Sequence, residues 1–138
     1  MTQLRFALAQ IDTCIGALDA NAAKVLDYSR KAAAGDAQVA VFPEMTLTGY
    51  PIEDLALRRT FRQAAWDKAN ELAGQLQDEG LGHLFVVVGT VGTDRETSKP
   101  RNRLVVLHEG AGPAMTSTSC PTTAYSMSSA SSPQETVP

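Results

Sequence analysis

Residues 39–59, VAVFPEMTLTGYPIEDLALRR, combine a buried-type strand with a carboxylate at its end. Val39 to Phe42 form a short, uniformly apolar run, which predicts an interior strand of a mainly parallel sheet. Pro43 ends this strand because proline cannot donate a hydrogen bond to a neighbouring strand. Glu44 thus stands at the carboxyl end of a strand, the edge at which open α/β sheets bind ligands. A solvated or structurally hydrogen-bonded glutamate is the alternative interpretation at this position.

Further strands are predicted on both sides of this stretch. Residues 4–12, LRFALAQID, are apolar enough for an interior strand. Residues 84–92 and 101–110 predict a third and a fourth strand, which a polar turn connects. The region from residue 3 to about 110 is therefore expected to be one α/β domain.

Two helices are predicted between the strands. The first spans residues 19–37, with Asp19 and Asn21 as candidate caps and Gly35 where the helix stops. The second spans residues 60–80 and has apolar residues at helical spacing. These residues are Phe61, Ala65, Ala69, Leu72 and Leu76. Strand, helix, strand, helix, strand, strand predicts a sheet covered by helices.

Composition excludes several classes of function. The chain has 138 residues, 12 Lys and Arg, 15 Asp and Glu, and a net charge of -3. A nucleic acid partner is not expected, because phosphate-backbone binding requires clustered positive charge. No apolar run is long enough to cross a bilayer and no secretory leader is recognisable, so we expect no membrane partner and a cytoplasmic location.

Other residues that could carry chemistry have no partners in the sequence. Cys14 is expected to be a small, buried, inert thiol, and Cys120 does not share a metal-type spacing with it, so no metal site is predicted. His83 and His108 have no carboxylate or cysteine arranged as a catalytic pair. The glycines of GTVG, residues 89–92, lack the strand-to-helix pattern of dinucleotide sites.

Composition changes abruptly after about residue 110. Residues 114–138 contain seven Ser and five Thr, no Lys, Arg or Asp, and neither a helical nor a strand period. Such a segment cannot bury a core, so residues 111–138 are predicted to be a disordered tail after a domain of residues 1–110.

The segment from residue 3 to about 110 resembles the start of the nitrilase (carbon-nitrogen hydrolase) superfamily, in which an ALAQ-type strand is followed by a helix and a strand ending in FPE. FPEMTLTGYPIEDL is similar in particular to the glutaminase domains of glutamine-dependent NAD synthetases. The resemblance implies an incomplete α-β-β-α sandwich, with the first strands and two helices present.

The same resemblance implies roles for three residues. Glu44 takes the place of the family's general base, which converts a cysteine thiol into the nucleophilic thiolate. Tyr50 and Glu53 are candidates for the substrate pocket or the passage for ammonia. Glutamine would be the substrate of the parent enzyme, itself expected to be a homo-oligomer. ATP and Mg would serve only its synthetase domain, so this chain is expected to need no cofactor.

The chain departs from the family after the fourth strand. The family has a lysine shortly after that strand and a cysteine on a later strand, whereas this chain has no lysine after Lys99, and Cys120 lies in a different context. The chain is therefore expected to be inactive alone, because losing the nucleophile of a cooperating set removes nearly all of its effect.

A change of reading frame would account for this departure. A family-type stretch, Gly-Arg-Ala-Arg-Tyr-Asp-Lys-His-Gln-Leu-Pro-Asn-Tyr-Gly-Val-Phe-Asp-Glu-Phe-Arg, written in GC-rich codons and translated one nucleotide out of register, yields the sequence from Ala111 to Ala130. On this hypothesis the lost lysine codon overlaps Ser117, the lost glutamate codon overlaps Ser128, and the chain is truncated within its catalytic domain.

Two alternatives stay open at the level of sequence. The chain could derive from another nitrilase-type amidase that acts on a small carboxamide. It could also be a non-enzymatic binding or regulatory module with a natural disordered tail.

Overall fold

The computed structural model describes residues 3–116 of the 138-residue chain. Five strands, two α-helices and one short 3₁₀ helix occupy this part. In chain order they are β1 (Phe6–Leu8), α1 (Leu18–Ala34), β2 (Val39–Val41), the 3₁₀ helix (Glu53–Leu57), α2 (Arg59–Asp78), β3 (Phe85–Thr93), β4 (Pro100–His108) and β5 (Ala111–Thr116).

The strands form one mixed sheet in the order β1-β2-β3-β4-β5. The first three strands run parallel, and α1 and α2 are the crossovers between them. The last three run antiparallel and are joined by short connections. This arrangement confirms the predicted α/β fold class, since helical crossovers join parallel strands and short turns join antiparallel ones.

Both helices pack against one face of the sheet. Val86 and Val88 of β3 pair with Leu107 and Val105 of β4, and all four side chains are buried. The apolar helix residues that complete this core include Val25, Leu26, Ala69, Leu72, Ala73 and Leu76. Four of the five residues predicted for the apolar stripe of α2 are buried, and Phe61 packs at the edge of a smaller cluster.

The start of α1 differs from the prediction. The helix begins at Leu18, its cap position is Ala17, and no side chain caps it. Asp19 instead lies in the first turn and pairs with Lys68 of α2 at 2.6 Å. Neither Asp19 nor Asn21 is a cap, because each side chain bonds to a distant segment and not to the helix end. In the part of the chain that is described, neither helix has the length and apolar character needed to cross a membrane.

The other face of the sheet is open at one end. The exposed fraction is 55% for Phe6, 75% for Leu8 and 43% for Phe85. The prediction that residues 4–12 form an interior strand is therefore wrong, since β1 has three residues and, among residues 3–116, only β2 as its neighbour. An apolar pattern predicts burial only where another layer packs against the strand, and no described element covers this end of the face.

Regular secondary structure extends past the predicted domain boundary at residue 110. β4 ends at His108, a turn with positive φ at Glu109 and Gly110 reverses the chain, and Ala111–Thr116 pairs with β4. The first six residues of the predicted disordered tail are therefore a strand, because ladder hydrogen bonds use the backbone and tolerate its unusual composition. The remainder of the predicted tail, residues 117–138, lies outside the described residues.

Candidate functional site

The loop after β2 crosses over the neighbouring strand β3. The amide of Phe42 donates to the carbonyl of Val87 at 2.9 Å, and the amide of Leu47 donates to the carbonyl of Gly89 at 3.0 Å. These two hydrogen bonds hold the intervening residues 43–46, which include Glu44, against β3.

Gly89 makes this close crossing possible. A Cβ at this position would lie 2.6 Å from the amide nitrogen of Met45 and from the carbonyl oxygen of Pro43, and 2.8 Å from the Cα of Glu44. Such distances are too short for any side chain, so the loop can approach β3 only over a glycine. No pattern in the sequence predicted this role for Gly89.

Hydrogen bonds within the loop fix its shape. The hydroxyl of Thr46 donates to the carbonyl of Pro43 at 2.6 Å. The amides of Thr48 and Gly49 both donate to the carbonyl of Met45, at 3.1 and 2.7 Å. Thr46 and Thr48 are buried, and Met45 has a φ of 53°. Glu44 therefore projects from a defined turn.

Asn21 connects this loop to the loop that follows β1. Its amide nitrogen donates to the carbonyls of Cys14, at 2.8 Å, and Leu47, at 3.2 Å, while its oxygen accepts from the amide of Cys14 at 3.0 Å. The side chain is fully buried. Cys14 itself is exposed, which corrects the prediction of a buried thiol, because its backbone and not its sulfur makes the inward contacts.

Glu44 lines a cavity of 310 Å³ between the β2 loop and β4. The cavity is lined by Phe42, Pro43, Glu44, Gly89, Asn102, Arg103 and Leu104. Glu44 is exposed, and its Oε1 accepts a hydrogen bond from Nδ2 of Asn102. A carboxylate that is held on one oxygen and open to a cavity can accept a proton from a bound molecule.

Asn102 is a residue that the sequence analysis missed. It lies on β4 opposite Val91 of β3, two residues along from Gly89. The antiparallel register therefore brings it to the loop that carries Glu44, 58 residues earlier in the chain. The only signal in the sequence was the predicted pairing of the third and fourth strands, which does not give the register.

Tyr50 and Glu53 do not line the Glu44 cavity. Tyr50 is 70% exposed and precedes a cis bond to Pro51, and Glu53 is an exposed residue at the start of the 3₁₀ helix. Both lie further along the same connection. Their proposed substrate role stays a prediction.

The two histidines also lie away from this cavity. His83 Nδ1 is 3.2 Å from the carbonyl of Gly80, and the His108 ring stacks on Phe85 with 3.7 Å between centroids. His108 is six residues from Asn102 along β4, about 20 Å at the usual rise of a strand. Residues 3–116 contain no group of three or more His, Cys, Asp or Glu side chains that could hold a metal ion.

The fold and the site together define an α/β protein with a carboxylate at the edge of its sheet and both helices on one face. The carbon-nitrogen hydrolase family model matches residues 5–113, and the chain belongs to that family.

The chain is similar in sequence to curated proteins that are named glutamine-dependent NAD(+) synthetases. The chain is 37% identical over 108 residues to that of Mycobacterium tuberculosis, which covers 78% of this chain and 15% of the relative. It is 40% identical over 86 residues to that of Acinetobacter baylyi, covering 60% of this chain and 16% of the relative. The chain thus spans about 15% of the length of these relatives.

Solved structures agree on the fold. The glutamine-dependent NAD+ synthetase from Acinetobacter baumannii, in complex with adenosine diphosphate, matches with a TM-score of 0.66 and 28% identity, over 84% of this chain and 21% of that chain. An amidase from Nesterenkonia sp. matches with a TM-score of 0.64 and 18% identity, over 80% of this chain and 40% of that chain. The second likeness shows a shared fold only.

Proposed function

We propose that this chain carries the N-terminal part of a glutamine-hydrolysing amidase domain and that Glu44 is its general base. The observation that carries the proposal is the position of Glu44, on a turn fixed over Gly89, bonded to Asn102 and open to a 310 Å³ cavity. The curated relatives named as glutamine-dependent NAD(+) synthetases support glutamine as the amide.

In the proposed reaction Glu44 accepts the proton of a cysteine thiol. The thiolate attacks the side-chain amide carbon of glutamine, and the amide nitrogen takes a proton and leaves as ammonia. Water then attacks the thioester and releases glutamate, which regenerates the thiol. A lysine ammonium would stabilise the oxyanion in both steps. In this scheme Asn102 is a positioning residue, because it holds one carboxylate oxygen while the other accepts the proton.

This chain by itself is proposed to be inactive. Cys14 does not line the Glu44 cavity, and its amide and carbonyl are bonded to Asn21. Cys120 lies outside the described residues. A solved structure of the Nesterenkonia amidase has acrylamide added at its active site cysteine, which supports a cysteine nucleophile in this fold. Glu44 without such a thiol has no nucleophile to activate.

The parent enzyme is proposed to pass ammonia to an ATP- and Mg-dependent synthetase domain that amidates deamido-NAD, and to be a homo-oligomer. The identity to NAD(+) synthetases supports this assignment, although the chain covers only about 15% of their length. The family match ends at residue 113, three residues after the proposed change of frame, and this also supports the hypothesis of a truncated domain.

Purified chain tests the proposal of inactivity. Incubation with glutamine is expected to release no ammonia above a buffer blank, because the chain lacks the thiol nucleophile. A release of ammonia that Glu44→Ala abolishes would overturn the proposal.

A gene with its reading frame restored allows the proposed role of Glu44 as general base to be tested. Restoring the frame after codon 110 is expected to yield a product that hydrolyses glutamine, and Glu44→Gln is expected to lower its rate about 10²- to 10⁴-fold, as for loss of a general base. Glu96→Gln, an exposed glutamate between β3 and β4, is the matched control and should leave the rate unchanged. A restored product with full activity in the Glu44→Gln variant would refute the assignment.

A second candidate is a nitrilase-type amidase acting on another small carboxamide. The shared fold with the Nesterenkonia amidase favours it. The restored product separates the two candidates, since only the first should hydrolyse glutamine faster than simple amides and continue into an ATP-using domain.

A further inference from the structure

The face of the sheet opposite the helices carries two rows of apolar side chains. Directly paired residues of neighbouring strands point to the same face of a sheet, so the register of β1, β2 and β3 defines the rows. The six residues are Phe6, Val39 and Phe85 in one row and Leu8, Val41 and Val87 in the next. We call these six residues the open face. None of them is charged and all are exposed or partly exposed, whereas Ala40 and Val86, which point to the helices, are fully buried.

The open face has a groove along β2. Both β2 residues of the open face are valines, whereas β1 beside them carries the larger Phe6 and Leu8. On the other side of β2, Phe85 bounds one end of the groove. A ridge and an adjacent groove are complementary to the same pair on a second copy that is turned about a two-fold axis. The β1 ridge of each copy would then lie in the β2 groove of the other.

The exposed area of the open face is close to what a weak, specific dimer needs. Phe6, Leu8 and Phe85 are 55%, 75% and 43% exposed, which amounts to about 300 Å² if a whole large apolar residue contributes about 200 Å². The partly exposed valines add to this area, as do Leu104 and Val106 of β4 on the same face. Two copies together would bury about 1,000 Å², the lower limit for a specific interface. A dimer of this size is expected to be weak.

We propose that the open face binds a second copy of this chain and forms a symmetric dimer in which two sheets pack face to face. Packed sheets lie about 10 Å apart with strand directions within about 30° of each other, and their side chains interdigitate. Removal of apolar area from water drives the association. The assembly ends at the dimer, because a two-fold contact uses the same surface in both copies and leaves none free. The proposal is independent of the general-base proposal, since it requires no glutamine hydrolysis.

Sedimentation equilibrium of the full-length chain measures the association. A single equilibrium between monomer and dimer is expected as the protein concentration rises, with no species larger than the dimer. Circular dichroism of the unaltered chain and of each variant checks that the protein is folded.

Substitutions at Val41 locate the contact, because Val41 lies in the groove and is partly exposed. Val41→Lys would place a charge inside the interface and is expected to raise the dissociation constant of the dimer about tenfold or more. Val41→Thr keeps the shape of the side chain and serves if the lysine variant does not fold. It is expected to raise the dissociation constant about fivefold, because each copy buries an added hydroxyl.

Ile15→Lys is the matched control. Ile15 is an apolar residue with 44% exposure that lies in the loop after β1 and not in a strand. The same charge at this position should change the dissociation constant less than twofold.

Three results would overturn the proposal. A monomer at every concentration would mean that no second copy binds the open face. Growth beyond the dimer without a limit would mean that the face attracts apolar surfaces unspecifically. An unchanged dissociation constant in a folded Val41 variant would place the contact elsewhere, for example at the free edge of β1 or on the helices.

Discussion

Glu44 owes its position to residues that are far from it in sequence. Gly89 leaves the space in which the turn carrying Glu44 lies, and Asn102 holds one of its oxygens. The apolar run before Pro43 and the FPE pattern predicted that Glu44 lies at the carboxyl end of a strand. They could not predict these two contacts, because each depends on the register of strands that pair across the sheet.

Gly89→Ala tests the close approach of the loop to β3. The added methyl group would meet backbone atoms at 2.6 Å, so the loop must move, and the free energy of unfolding should fall by about 1–3 kcal/mol or more, as in overpacked cores. Gly74→Ala in α2 is the matched control. A Cβ there meets nothing within 4 Å, so the free energy of unfolding should rise by up to about 1 kcal/mol through helix propensity. Urea unfolding measures the change in the free energy of unfolding, which should have opposite signs in the two variants. An unchanged free energy in Gly89→Ala would contradict the described geometry.

Asn21→Ala tests the connection between the two loops. The substitution leaves two carbonyls and one amide without their buried partner, and should lower the free energy of unfolding by about 2–4 kcal/mol. Asn70→Ala removes an exposed asparagine whose side chain donates to the carbonyl of Trp66 in its own helix, its one hydrogen bond within residues 3–116. This control substitution should lower the free energy of unfolding by less than about 1 kcal/mol. Equal losses in thermal or urea unfolding would show that the loop contacts of Asn21 are not the cause.

At the scale of elements, the sequence predicted both helices and the succession of strands and helices along the chain as far as the fourth strand. Apolar spacing places Ala65, Ala69, Leu72 and Leu76 on the buried side of α2, and each is buried. The first strand was predicted to be longer and more buried than β1 is. An apolar stretch of sequence is the same whether or not another layer of the protein covers it. β5 was not predicted, because it follows a backbone turn at Glu109 and Gly110 that the composition of the sequence does not reveal.

The connection between β3 and β4 gives a prediction about pH. Asp94 accepts hydrogen bonds from the amide and hydroxyl of Thr97 and from the amide of Glu96, and it pairs with Arg101. These partners, the Thr97 amide first, lower the pKa of Asp94 from 3.8 to about 2. Because the folded pKa is the lower one, the ionised carboxylate stabilises the fold fully above pH 4, and this contribution is lost as the pH falls towards 2.

Asp94→Asn should therefore be less stable than the unaltered chain at pH 7, and the difference should shrink steadily between pH 4 and pH 2.5. Urea unfolding at several pH values measures it. Asp78→Asn, at the exposed end of α2, is the control and should show no comparable loss at pH 7. A difference that stayed constant down to pH 2.5 would exclude the carboxylate as its source.

At the scale of the molecule, the uncovered end of the sheet is the dominant feature. Phe6, Leu8 and Phe85 expose large apolar side chains on one face, and β1 is an edge strand. Exposed apolar edges of this kind promote self-association. The open face is consistent with a family domain of which the chain carries only the first part.

Leu8→Lys tests this consequence. The unaltered chain is expected to form larger species as its concentration rises, and the charged residue on β1 should raise the apparent dissociation constant about tenfold, the equivalent of one unburied leucine. Leu57→Lys is the control, since Leu57 is 67% exposed and belongs to the 3₁₀ helix and not to a strand. Sedimentation velocity measures the association, and equal effects of both variants would argue against the sheet face.

The hydrogen bond between Asn102 and Glu44 also has a consequence for synthesis on the ribosome. Glu44 and Asn102 both lie before residue 110, together with Gly89, over which the turn is built. In a longer parent protein, the nascent chain would complete the Glu44 side of the cavity before a cysteine encoded later left the exit tunnel, in keeping with folding that starts at the N-terminus. A message that changed frame after codon 110 would therefore still encode Glu44, Gly89 and Asn102, which form this side of the cavity.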